Sequence, residues 1–242
     1  MKKIKRIVPI VFVILCVISM STTQVYALTE SDLWGNADWS DFGVEDCTNN
    51  NGKFVGQVHY EWMVEYIEND VSNYDFYAVY LIETITPSKA YGGKGRILDG
   101  YALFNMRSSD MIVADALPER SAGSYSYGVS AQISSDGVAQ FQSSISVSLP
   151  EVDINPVTDA NWGGYHRCSF DMNGDARIEQ NKIRNTLIIR VTEGSALSID
   201  ITMYLYWAYG FWWTHSSDTI TFRVTCDGTP GGGGGGGGHD VM

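Results

Sequence analysis

The chain has 242 residues, 44% of them apolar, and carries 16 Lys and Arg against 28 Asp and Glu, a formal net charge of −12. So acidic a surface argues against nucleic acid or strongly anionic lipid as a partner, and the length suffices for one domain with a sizeable core. His59, His166, His215 and His239 fall in no zinc-ligand spacing, and no nucleophile elbow, metalloprotease or phosphate-cradling motif is present, so neither metal, cofactor nor enzymatic activity is expected.

In chain order, Lys2, Lys3, Lys5 and Arg6 precede an apolar run from Ile7 to about Met20 and then Val25-Tyr26-Ala27. This pattern predicts a secretory signal over 1–27, too short and wrongly flanked to span a membrane as a helix. The remainder holds 12 basic and 28 acidic residues, a net of −16, and three cysteines: Cys47, Cys168 and Cys226. In an oxidising exterior one pair is expected. Cys47 and Cys226 bracket the strands, so their bridge would clasp the termini; Cys47–Cys168 is the alternative.

A polar segment over 28–52 follows, with Trp34 and Trp39 expected to pack back on the body. Runs rich in Val, Ile, Tyr, Phe and Thr predict strands at about 53–68, 75–86, 96–107, 186–192, 196–207 and 219–225, with a turn region at 87–95. The fold class this implies is all-β, an antiparallel β-sandwich. The run Tyr204-Leu205-Tyr206-Trp207-Ala208-Tyr209-Gly210-Phe211-Trp212-Trp213 is apolar on both strand faces, and its second half is a candidate for exposure. The domain plan is a signal at 1–27, a sandwich domain at 28–229 and a disordered tail at 230–242 containing eight consecutive glycines.

The centre of the chain alternates with period two. Tyr125, Tyr127, Val129, Ala131 and Ile133, then Ala139, Phe141, Ile145, Val147 and Leu149, are apolar, while Ser, Gln and Gly fill the positions between. A three-residue loop of Ser135, Asp136 and Gly137 pairs Ile133 with Ala139 and Ala131 with Phe141, so that the two apolar faces coincide; a two-residue Asp-Gly turn would oppose them. Strands of about ten residues with one apolar and one uncharged polar face suit a hairpin that crosses a bilayer within a closed barrel. A half-buried hairpin of an ordinary sandwich alternates in the same way.

Beyond it, Asn161-Trp162-Gly163-Gly164-Tyr165-His166-Arg167 offers an indole suited to a membrane boundary or to a quaternary ammonium, and equally to a half-buried core position. Asp171-Met172-Asn173-Gly174-Asp175-Ala176-Arg177-Ile178-Glu179 has part of an EF-hand spacing but Ala at its sixth position and Lys182 at its twelfth, which reads better as an acidic turn.

The order Val113-Ala114-Asp115-Ala116-Leu117-Pro118, Tyr125-Ser126-Tyr127-Gly128, Pro150-Glu151 and then Asn161-Trp162-Gly163-Gly164-Tyr165-His166-Arg167 resembles the leukocidin/haemolysin family of β-barrel pore-forming toxins. The resemblance covers roughly 76–224, with a shorter hairpin than the family's and Cys168-Ser169 where an Asp is usual. It implies a secreted cytolysin, soluble as a monomer, that oligomerises as a ring on a target membrane and inserts the 125–149 hairpin from each protomer as its stem. It further implies that Trp162, Tyr165 and Arg167 meet lipid headgroups, phosphocholine among them. The alternatives from other classes are a sandwich module binding carbohydrate or a cell surface, and a filament subunit.

Overall fold

In a computed structural model of the chain, residues 37–67, 73–89, 95–210 and 214–226 are described. The expected signal segment, Trp34, Phe211-Trp212-Trp213 and the glycine-rich segment lie outside them. Eleven strands form: β1 (Trp39–Thr48), β2 (Phe54–Ile67), β3 (Tyr74–Pro87), β4 (Arg96–Met106), β5 (Met111–Leu117), β6 (Ser121–Ile133), β7 (Ala139–Asp159), β8 (Tyr165–Met172), β9 (Asn181–Thr192), β10 (Leu197–Tyr209) and β11 (Thr214–Cys226). They pair antiparallel in two sheets, ordered β1-β2-β3-β9-β5 and β11-β10-β4-β8-β7-β6.

The inner faces meet through Tyr60, Trp62, Val64, Tyr77, Val79, Leu81, Leu187 and Ile189 of the first sheet, against Phe104, Ile199, Ile201, Met203 and Phe222 of the second. β4 and β10 alternate between buried and partly exposed positions, as strands with one wet face do. β3 does not. Every residue from Phe76 to Glu83 is buried, and β9 is buried from Asn185 to Ile189. A two-layer sandwich covers only one face of each sheet, so burial of Ala78, Tyr80, Ile82 and Ile188 on the opposite face requires a third layer. That layer is the β6–β7 ribbon: its Tyr125, Tyr127 and Val129 cluster with Ala78, Tyr80 and Ile82, and its Ala139 clusters with Phe76 and Ile188.

Three strands lie where none was expected. β1 occupies the segment read as polar, because its inward positions are Trp39, Asp41, Gly43, Glu45 and Cys47, a face with almost no apolar period; Trp39 does pack on the body, 6.2 Å from Tyr77. β5 and β8 are short, although their buried positions are mostly apolar: Met111 and Val113 on β5, and Cys168, Phe170 and Met172 beside His166 on β8.

The expected Cys47–Cys226 clasp is not formed. Cys47, Cys168 and Cys226 are all buried, and none is bridged to another. The Thr48 amide donates to Asp218 Oδ1 (3.2 Å), which sets the end of β1 beside Asp218. Cys226 is eight residues further along β11, about 26 Å at ~3.3 Å per residue, whereas a disulfide needs Cα atoms within about 7 Å. Burial pushes the Cys47 thiol up to about 12 and raises that of Cys168 as well, so neither is poised to react.

Candidate membrane-active elements

The alternation in 125–149 fixes the local structure. Ile133 lies opposite Ala139 and Ala131 opposite Phe141. The loop closes through Ser134 and Val138 (2.9 Å) and Gly137 to Ser134 (2.8 Å), with Gly137 at φ 80°, the left-handed conformation that the last residue of such a loop needs. Asp136 stands at the tip, its carboxylate accepting from the Ser134 hydroxyl. Along the distal half of β7, Gln140, Gln142, Ser144, Ser146 and Ser148 are exposed, while Ala139, Phe141, Ile145, Val147 and Leu149 turn towards the body.

Only the proximal part of β7, Val152 to Asp159, pairs with β8; from Ala139 to Ser148 its sole partner is β6. Between Ser148 and Asp153 the register jumps, with Gly123 alone opposite Leu149, Pro150, Glu151 and Val152. Gly123 has φ 74° and Glu151 φ 65°, a left-handed conformation costly for a residue with a Cβ. At this corner the ribbon leaves the second sheet and folds over edge strand β5 onto the outer face of the first.

The corner is anchored by the segment that resembled a calcium loop. Gly174–Arg177 forms a 3-10 turn. Glu151 Oε2 accepts from the amides of Asp175 (2.6 Å) and Ala176 (3.3 Å), and the Glu151 carbonyl accepts from Asn173 (2.7 Å). A carboxylate on the free N–H groups at the start of a turn is a favourable charge-assisted cap, which offsets the strained backbone of Glu151.

Four hydrogen bonds, from three of its residues, pin the ribbon to the body. The Phe141 amide donates to Asp115 Oδ2 (3.0 Å), the Gly128 amide to Thr186 Oγ1 (2.9 Å), and the Tyr125 hydroxyl accepts from the Arg184 amide (2.9 Å) while donating to the Lys182 carbonyl (3.3 Å). The last pair satisfies the edge of β9 beyond the end of β5. The Arg184 guanidinium also lies over the Tyr127 ring, 5.1 Å from its centroid.

The expected headgroup residues separate into two places. Trp162, 41% exposed in the β7–β8 loop, sits 6.0 Å from the Tyr74 ring, and the Arg190 guanidinium covers both, 4.6 Å from Tyr74 and 5.1 Å from Trp162. Asn73, Ser109 and Thr192 complete a cavity of about 550 Å³ with these two rings. Arg190 Nε is buried and has no hydrogen-bond partner among the described residues. Arg167 instead lies on the outer face of the second sheet, 5.8 Å from the Tyr101 ring, which stacks on Tyr204, and Tyr165 shares that face two residues away. Arg190 and Tyr74 were not among the expected residues; Arg190 lies mid-strand in an apolar run and gives no sequence signal of exposure.

No family model matches the chain, and no curated protein matches it by sequence. Among solved structures, one described as a pore-forming protein matches with 11% identity over 76% of this chain and 90% of that one, at a TM-score of 0.46. A second, the Clostridium perfringens NetB toxin in its membrane-inserted form, matches with 6% identity over 76% and 96%, at 0.34. The chain is similar to a pore-forming protein and to a membrane-inserted toxin.

Proposed function

We propose that this is a secreted β-barrel pore-forming protein, soluble as a monomer, that assembles into a ring on a target membrane and inserts the Tyr125-to-Leu149 hairpin of each protomer. The observation that supports this reading most is the two-stranded ribbon itself. It is paired to the second sheet only beyond its Glu151 corner, is apolar towards the body and uncharged polar towards water, and is long enough to cross a bilayer when tilted. An ordinary sandwich hairpin would continue a sheet; this one lies across the outer face of the other sheet.

Physical chemistry then constrains the mechanism. A lone inserted hairpin would present unpaired backbone groups to hydrocarbon, at several kcal/mol each. Only a closed ring pairs every edge, so insertion is all-or-none with oligomerisation. Val138, 53% exposed beside the tip, is the first apolar side chain to meet the bilayer. The Trp162–Tyr74–Arg190 cluster supplies the lipid contact in this reading: two rings at the boundary layer and a guanidinium stacked on both, whose positive charge suits a headgroup phosphate. Tyr165 and Arg167 belong to another face and are not assigned to the same headgroup.

The test compares neighbouring positions near the middle of the hairpin. Ile145→Arg puts a charge on the lipid face, costing about 2–4 kcal/mol per protomer near the bilayer midplane, multiplied by the subunit count; Ser144→Arg puts it on the lumen face. Dye release from phosphatidylcholine vesicles is expected to vanish for the first and persist for the second, with both still sedimenting with vesicles. Equal activity of two variants that both bind would refute the reading. Vesicle or glycan binding by the wild-type chain without leakage would favour a binding module.

A further inference from the structure

The hairpin carries one charge in its whole length. From Ser121 to Pro150 every polar residue is Ser, Gln or Gly except Asp136. That residue is at the apex of the loop, fully exposed, with its carboxylate held by the Ser134 hydroxyl and its position fixed by the left-handed Gly137 beside it. The next charges lie at the opposite end of the ribbon. There Glu119 and Arg120 are adjacent and opposite in sign, and Glu151 is turned onto the Asp175 and Ala176 amides. From the tip to that end the ribbon runs through about ten residue pairs, ~33 Å at about 3.3 Å per residue, with no ionisable side chain between.

Resting on the pore reading, we propose that Asp136 is the selectivity-determining residue of the channel: a ring of these carboxylates at the far mouth makes it cation-selective. The argument is one of elimination along the lumen. Exposed Gln140, Gln142, Ser144, Ser146 and Ser148 on β7, with Ser124, Ser126 and Gln132 on β6, coordinate ions of either sign through neutral dipoles and set no preference. The strands, nine residues from Tyr125 to Ile133 and eleven from Ala139 to Leu149, are no longer than a bilayer crossing requires. The loop therefore emerges at the far headgroup level, with no polar extension of the barrel to carry it away from the opening. A symmetric ring repeats the charge once per protomer around a single opening, and the Debye length of about 8 Å at physiological salt is comparable to the reach of such a ring across its mouth. Acidic rings are a known means of building cation selectivity, and the net charge of −16 of residues 28–242 adds a field of the same sign on the near side.

The experiment is single-channel recording in planar phosphatidylcholine bilayers under a tenfold KCl gradient. Wild-type channels are expected to reverse on the potassium side, with a K⁺ to Cl⁻ permeability ratio of at least two. Asp136→Asn should bring the ratio to about one, and Asp136→Lys should invert it. Raising the salt on the far side alone should reduce the wild-type preference more than the same change on the near side, because screening acts at the mouth that holds the ring. Conducting wild-type channels with a ratio near one, or an unchanged ratio in Asp136→Asn, would overturn this inference while leaving the pore reading standing. The absence of any conductance or leakage from folded, membrane-bound wild-type protein would overturn the pore reading and this one with it.

Discussion

Glu83 sets a pH dependence that can be read off the sandwich core. It is fully buried on β3, between the sheets, and accepts one hydrogen bond from Asn185 Nδ2 (3.1 Å), while its Oε2 and the Asn185 Oδ1 have no hydrogen-bond partner among the described residues. Burial pushes its carboxyl up to about 8 from an ordinary 4.5, with only the Asn185 bond acting the other way. Below pH 4.5 the group is neutral in both folded and unfolded chains and costs nothing. Between pH 4.5 and 8 the unfolded chain ionises while the folded one holds its proton, so stability falls with rising pH by about 1.4 kcal/mol per unit. The loss is on the order of 3 kcal/mol at pH 7 and 5 kcal/mol at pH 8. His166, also buried, is depressed to about 4 by desolvation, so its contribution runs oppositely: stability falls as pH drops from 6.5 towards 4. From pH 4.5 to 6.5 the two slopes nearly cancel. Glu83→Gln keeps the shape and the bond from Asn185 but cannot ionise. In denaturant melts followed by tryptophan fluorescence, the wild type should lose about 2 kcal/mol between pH 6.5 and 8 while the variant stays level. Below pH 6.5 the variant should fall where the wild type is flat. Parallel curves for the two proteins across pH 5–8 would refute the reasoning.

Two further expectations concern the elements proposed to act on the membrane. Trp162→Ala should weaken sedimentation with phosphatidylcholine vesicles while moving the thermal midpoint by no more than a few degrees, because 41% of the side chain is already exposed; a large loss of stability would place the indole in the core instead. Gly128→Ala should destabilise the docked ribbon by about 1–3 kcal/mol, since a Cβ there would stand 2.2 Å from the Phe141 ring. Both residues belong to the hairpin, so the crowding travels with it on insertion, and dye release at equal membrane binding should be no faster than that of the wild type; quicker release would refute this.

The hairpin was legible because its signal is local: side-chain parity decides the face, and the register demanded by coincident apolar faces selects the three-residue loop, as the Ile133–Ala139 and Ala131–Phe141 pairs bear out. The sandwich was legible for the same reason, down to β2 and β4 within a residue or two. β1 escaped because an edge strand with Asp41, Gly43 and Glu45 facing inward has no period to detect. The docking face was written in the sequence but masked by ambiguity. Phe76-Tyr77-Ala78-Val79-Tyr80-Leu81-Ile82 and Leu187-Ile188-Ile189 are apolar at consecutive positions, the mark of strands buried on both faces, and in a two-layer fold that implies a cover. The Glu151 corner and the Arg190 cluster depend on contacts between residues far apart in the chain, for which one sequence holds no local trace.

On the proposed pore reading, the cover accounts for a hairpin that is kept in water and released only on assembly. Its odd face is apolar in both settings, against the body or against lipid, so burial of that face alone does not favour one state strongly over the other. The body is the asymmetric partner. When the ribbon leaves, Met63, Ala78, Tyr80, Ile82 and Ile188, all buried while it is docked, lose their cover. At about 1.5–3 kcal/mol for each large side chain, exposing them costs on the order of 10 kcal/mol, together with the bonds from Gly128 to Thr186 and from Phe141 to Asp115. A monomer adrift in solution has nothing to offset that cost. In the proposed ring a protomer would gain strand pairing on both sides of its hairpin and lipid against its odd face. On that reading release is uphill alone and downhill in company, and the threshold between them is set by the contacts that pin the ribbon to the outer face of the first sheet.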